Sequence, residues 1–155
     1  MSYQTLMVHL HIGHSNADLL QITRSLAERL NTHVIGIMVG QPTQMIYGKG
    51  YALLDFFDKE QAHIEQKITK SEAQFHEVFQ GFSNTIEWRS IITREPMVSI
   101  AVDTDATQLI AIAKQQGADI LVVGAYGHSR LRQWVLGGVT NDLLQRTDLC
   151  SLLSH

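Results

Sequence analysis

Short apolar runs alternate with longer segments of helical periodicity along the whole chain, and this rhythm restricts the fold more than any other feature. The runs are Thr5–Leu10, His33–Val39, Thr85–Ile92, Ile120–Val123 and Leu149–Leu153. Each has the length and β-branched content of a strand. Between the first two, Ser15 or Asn16 offers an N-cap. Leu19, Leu20, Ile22, Leu26, Ala27 and Leu30 then recur at helical spacing until Asn31-Thr32. Residues 40–50 read as a loop. A long helix is expected from about Tyr51 to Gln80, with Leu54, Phe57, Gln61, Ile64, Ile68, Phe75, Val78 and Phe79 mostly three or four apart and Gly81 just past its end. A third helix is expected from about Met97 to Gln116, bent or broken near Asp103. Its better half runs from Thr104, turns Leu109, Ile110, Ile112 and Ala113 inward, and ends at Gly117. A last helix is expected from Gly138 or Val139 to Arg146. Strands alternating with helices imply one parallel sheet covered on both faces. Right-handed crossovers reduce the topology to a few doubly wound arrangements. In such sheets a ligand sits beyond the carboxyl ends of the strands, where the strand order reverses.

The 155 residues suit one domain spanning the chain. With 12 basic and 15 acidic side chains the net charge is −3, which argues against non-specific nucleic-acid binding. Cys150 is the one cysteine, which excludes an internal disulfide and a four-cysteine metal site. It reads as a small buried apolar residue. The amino-terminal residues lack the basic and apolar regions of a signal peptide. No apolar stretch approaches the ~20 residues of a membrane helix. A cytoplasmic protein without a membrane segment is expected.

The richest segment runs from Asp119 to Arg130, Asp-Ile-Leu-Val-Val-Gly-Ala-Tyr-Gly-His-Ser-Arg, followed by Gly137-Gly138-Val139-Thr140. An apolar run ends in Gly124, Gly127 follows, and a glycine pair precedes a helical segment. Glycines let the backbone turn and bring bare N–H groups close to a ligand, and a helix start adds unpaired donors. An anion site is expected here. No G-x-x-x-x-G-K-[ST] run occurs, and only Gly13 follows the first strand, so neither a P-loop nor a dinucleotide fingerprint is present. Gly48-Lys49-Gly50 has no strand directly before it and reads as a surface loop.

The spacing Gly124-x-x-Gly127-x₉-Gly137-Gly138 closely resembles the ATP-binding pattern of the universal stress protein family, G-x-x-G-x₉-G followed by Ser or Thr. The length, the alternation of elements, the long middle helix and the lead-in Ala118–Gly124 match as well, so the resemblance covers essentially the whole chain. It implies a Rossmann-like fold of the adenine nucleotide alpha hydrolase-like type, with five parallel strands in the order 3-2-1-4-5. It implies a homodimer paired through the last strand, here Asp148–His155, which carries no proline or charge block against edge pairing. By family position, Gly127, His128, Ser129 and Arg130 present N–H groups to phosphates. Gly137 and Gly138 do so at the helix start, Val139 and Thr140 complete the site in the first helical turn, and Val39 lies near the adenine. Two positions depart from the pattern. The hydroxyl residue after the third glycine is Gly138 here, with Thr140 two residues on. The Asp that ends the first strand corresponds to His11, in His11-Ile12-Gly13-His14-Ser15. A side-chain donor and a carboxylate are thereby lost, while the backbone donors need no particular side chain.

Eight histidines is a high count. His9 and His11 lie two apart on a strand and share a face. With His14 they form a candidate zinc set. The competing reading places His11 on the wall of the nucleotide cleft and His9 as a hydrogen-bonded interior residue. His128 reads as a polar wall of the cleft and Arg130 as a phosphate contact. Tyr126 either stacks on a base or packs on a neighbouring loop. Trp88 and Trp134 read as core or interface residues. The resemblance therefore points to a dimeric stress-response module that binds ATP or another adenine nucleotide, with Mg²⁺ as its counterion, and not to a fast enzyme. No general base beyond the histidines and no carboxylate stands near the loop, so any ATP hydrolysis would be slow and incidental. The alternatives are a signalling dimer with an empty cleft and a metal-dependent protein built on His9, His11 and His14.

Overall fold

A computed structural model describes residues 3–40, 52–92, 106–124 and 149–154 of the chain. Its elements run β1 (Thr5–Leu10), α1 (Ala17–Leu30), β2 (His33–Gly40), α2 (Ala52–Val78), β3 (Ile86–Ile92), α3 (Ala106–Gln115), β4 (Ile120–Gly124) and β5 (Cys150–Ser154). All pairings are parallel and the strand order is β3-β2-β1-β4-β5. The register places Leu10 beside Met38 and His9 beside Val123. The expected doubly wound sheet and its order are therefore present.

The sheet divides its side chains by parity. Leu6, Val8 and Leu10 of β1 join Leu19, Leu20 and Ala27 of α1, Ile64, Ile68 and Phe75 of α2, and Phe79 just after it in one core. Met7 points the other way, into a second core with Ile35, Ile37, Leu121, Ile110 and Ala113. Consecutive strand residues face opposite sides, so both faces of β1 are apolar because both are covered. Gly36 of β2 fits because it has no side chain. A β-carbon there would lie 2.9 Å from Phe75 and 3.0 Å from Trp88. Those two rings pack 5.5 Å apart between centroids, which seats α2 on β2 and β3. Trp88 is accordingly half-buried packing, as its sequence position suggested.

The helix ends follow the sequence closely. Asn31 closes α1 in the left-handed conformation, and Gly81 and Gly117 stand just past α2 and α3 with φ of +74° and +67°. Arg24 of α1 donates to the carbonyls of Val78 and Gln80, so one helix supplies donors to the unpaired carboxyl end of the next. At the amino ends of the central strands, Asp119 accepts from the backbone N–H groups of Gln4 (2.6 Å) and Thr5 (3.0 Å), which fixes the start of β4 against the start of β1.

Two expectations need correction. Ile22 is 42% exposed, and Thr23 takes the buried position. One residue is about 100° of helix rotation, enough to carry Ile22 off the stripe formed by Leu19, Thr23 and Ala27. The Thr23 hydroxyl tolerates burial because it donates to the Leu19 carbonyl at 2.7 Å. Cys150 is exposed, not buried. It opens an edge strand with a single neighbour, and the preceding Leu149 is the residue that enters the core. The expected break near Asp103, the loop expected at 40–50 apart from Gly40, which ends β2, and the helix near 138–146 lie outside the described residues.

Candidate functional site

β1 and β4 are adjacent, and the chain leaves β1 for the face that carries α1 while α3 reaches β4 from the opposite face. The strand order therefore reverses between β1 and β4, and in a doubly wound sheet a ligand sits beyond the carboxyl ends of the strands at that point. Four residues singled out from the sequence lie at or just beyond strand ends, and two of them, His11 and Gly124, are in contact. His11 follows β1 directly, Gly13 forms the turn beyond it, Gly124 ends β4, and Val39 is the half-buried penultimate residue of β2. Since Leu10 pairs with Met38, His11 and Val39 come next on neighbouring strands. Gly127, His128, Ser129, Arg130, Gly137, Gly138, Val139 and Thr140 lie outside the described residues, as do Tyr126 and Trp134.

The turn after β1 is built by a buried asparagine. Asn16 is only 3% exposed. Its Oδ1 accepts from the His11 N–H at 3.1 Å, and its Nδ2 donates to the carbonyls of His11 (3.0 Å) and His14 (3.4 Å). Asn16, one of the two residues expected to cap α1, occupies its N-cap position, but its side chain makes no bond to that helix. It closes the His11–Ser15 turn instead. Gly13 lies within this turn at φ +82°, a conformation that residues with a β-carbon rarely adopt. The sequence offered Ser15 or Asn16 as the cap; which of them serves, and which backbone groups its side chain reaches, depends on how the turn folds back.

The imidazole of His11 bridges the two strands. Its Nε2 is 3.1 Å from the Gly124 carbonyl oxygen. A carbonyl only accepts, so Nε2 carries the proton and the neutral ring keeps Nδ1 as an acceptor. Burial holds the His11 pKa below its ordinary 6.5, opposed by the bond to Gly124 and aided by the nearby His14. Its ring packs edge-to-face on His9, with centroids 4.8 Å apart, and His14 lies 6.4 Å away on the other side. His9 is 5% exposed, and burial followed by repulsion from His11 pushes its pKa from 6.5 to about 3. The ring is interior, as one reading of the sequence had it. It is not hydrogen-bonded as expected: Nδ1 is buried with no partner among the described residues. The three rings form a row of perpendicular contacts, not a converging set of lone pairs. Among the described residues no group of three His, Cys, Asp or Glu side chains is disposed to hold a metal ion.

The model of the universal stress protein family matches residues 17–150. The chain belongs to this family. Its fold is shared by solved universal stress proteins at low sequence identity. One crystallised in complex with cAMP is 21% identical, with a TM-score of 0.60 and coverage of 100% of this chain and 99% of that one. UspA from Lactobacillus plantarum is 18% identical at a TM-score of 0.59, covering 100% and 99%. The Archaeoglobus fulgidus protein in complex with dAMP is 11% identical at a TM-score of 0.55, covering 99% and 98%. No curated protein sequence matches the chain. In this universal stress protein the ends of β1 and β4 are tied by the imidazole of His11. No described helix is long and apolar enough to cross a membrane.

Proposed function

We propose that this universal stress protein is a cytoplasmic, dimeric adenine-nucleotide sensor whose cleft lies between the turn after β1 and the loop after β4. The observation that carries the proposal is the bond from His11 to the Gly124 carbonyl. It ties the carboxyl ends of β1 and β4 together at the point where the strand order reverses, and it leaves an imidazole acceptor there. A neutral Nδ1 can accept from a ribose hydroxyl without the charge of an aspartate. Solved relatives carrying cAMP and dAMP support adenine as the base. Val39 suits the adenine. Gly127, His128, Ser129 and Arg130 would meet the phosphates of ATP, together with Gly137, Gly138, Val139 and Thr140 at the helix start. Bound ATP brings negative charge, and Mg²⁺ accompanying it is held by phosphate oxygens and water. The protein acts by binding, with no dedicated catalytic base.

Dimerisation through β5 is part of the same reading. β5 is an edge strand, Leu152 on it is 37% exposed, and Cys150 is exposed. An uncovered edge with apolar side chains favours a second strand.

Equilibrium titration of the purified chain with ATP, AMP and cAMP tests the proposal, with Gly127→Val as the control. Saturable binding that the valine abolishes is the expected result. Equal weak affinity for both proteins refutes the loop. Absence of any nucleotide binding, with none released on denaturing the purified protein, leaves the signalling dimer with an empty cleft.

A further inference from the structure

Lys67 projects from the middle of α2 to the turn after β1. Its ammonium lies 3.8 Å from the point a β-carbon on Gly13 would occupy. The side chain is half-buried, between Ile64 and Ile68, which pack in the core beside Ile12. Its helical neighbours three and four residues away are His63, Ile64, Lys70 and Ser71, none of them acidic. Glu65, the nearest carboxylate in the chain, accepts from Gln61 at 2.8 Å. Among the described residues no carboxylate pairs with Lys67. An ammonium has three donors and is strongly hydrated, so one drawn partly out of water beside a bare glycine turn is favoured when an anion meets it. The turn it touches begins at His11, whose ring reaches Gly124. The cation thus stands at the turn that leads out of β1.

We propose that Lys67 is a ligand-binding residue of the cleft, contributed by α2 across the Gly13 turn, and that it selects the phosphorylated form of the nucleotide. This rests on the nucleotide reading of the cleft and adds the group that distinguishes a nucleotide from its nucleoside. The lack of a side chain on Gly13 keeps the approach to the ammonium open. A phosphate oxygen placed there completes the ammonium's hydrogen bonding and replaces lost water with a charge-assisted bond.

Calorimetric titration of the full chain with AMP and with adenosine tests it, using wild type, Lys67→Ala and Lys67→Arg. Wild type is expected to bind AMP more tightly than adenosine. Lys67→Ala should weaken AMP about tenfold, the size of one charge-assisted hydrogen bond, and leave adenosine within about twofold. Lys67→Arg should retain most of the AMP affinity, and the salt dependence of AMP binding should be shallower in the alanine variant. If wild type binds adenosine and AMP alike, or if Lys67→Ala leaves AMP unchanged or weakens both ligands equally, the Lys67 assignment is wrong while the cleft stands. If wild type binds neither, the nucleotide reading fails and this assignment with it.

Discussion

His9 should make the protein sensitive to mild acid, and by an amount the structure sets. The ring is buried and neutral, with its pKa at about 3 against an ordinary 6.5. In the unfolded chain it takes up a proton as the pH falls through 6.5; in the folded protein it stays neutral until the pH nears 3. Between those limits the unfolded state binds more protons, so stability is complete above pH 6.5 and declines as the medium is acidified. At pH 5 the unfolded state gains a factor of about 30 from this one group, or about 2 kcal/mol. His11, also depressed by burial, adds a loss of the same sign. Urea unfolding at pH 8 and pH 5 measures the total decline, and the same pair of measurements on His9→Phe removes the contribution of His9. Comparing the two pH values within each protein cancels any change in packing. The wild type should lose about 2 kcal/mol more than the variant between the two pH values. A difference below about 0.5 kcal/mol would mean that the ring gains a proton in the folded state and is not sealed from water.

Three further outcomes follow from the packing and the turn. Gly36→Ala inserts a methyl group against Phe75 and Trp88 and should cost about 1–3 kcal/mol in chemical unfolding; a neutral result would show that α2 can lift off the sheet at no cost. Asn16→Ala leaves the His11 N–H and carbonyl without their buried partner, so it should cost about 1–3 kcal/mol and loosen nucleotide binding as well; loss of stability with unchanged affinity would separate the turn from the cleft. Asp119→Ala removes the acceptor shared by Gln4 and Thr5 and should lower stability by about 1.5–3 kcal/mol, with amide exchange at those two residues rising most; uniform exchange would refute a local tie.

The sheet was legible in the sequence because each strand is a dense apolar run bounded by turn residues, and burial on both faces demands that composition. The order of strands came from the family resemblance, since periodicity alone does not say which strands are neighbours. Helix ends were legible where Asn31, Gly81 and Gly117 supply left-handed residues. Ile22 and Thr23 show the limit of hydropathy. A hydroxyl that bonds its own helix is as buriable as an aliphatic group, and an exposed isoleucine carries no visible mark. His11 and Val39 were singled out by the family resemblance and Gly124 by the glycine spacing, and the structure sets His11 against the Gly124 carbonyl. The role of Asn16 and the position of Lys67 were not legible. Each depends on a contact between segments whose separation in the chain says nothing about their meeting.

The central place of β1 has a consequence for how the molecule assembles. β2 reaches it after one helix, whereas β4 joins it only after β2, α2, β3 and α3 have been laid down. Until then the middle strand has one open side, and the Asp119 carboxylate is missing from its amino end. Closing a loop that long carries an entropic cost that no earlier contact offsets, so the joining of β4 to β1 is the step expected to govern the folding rate.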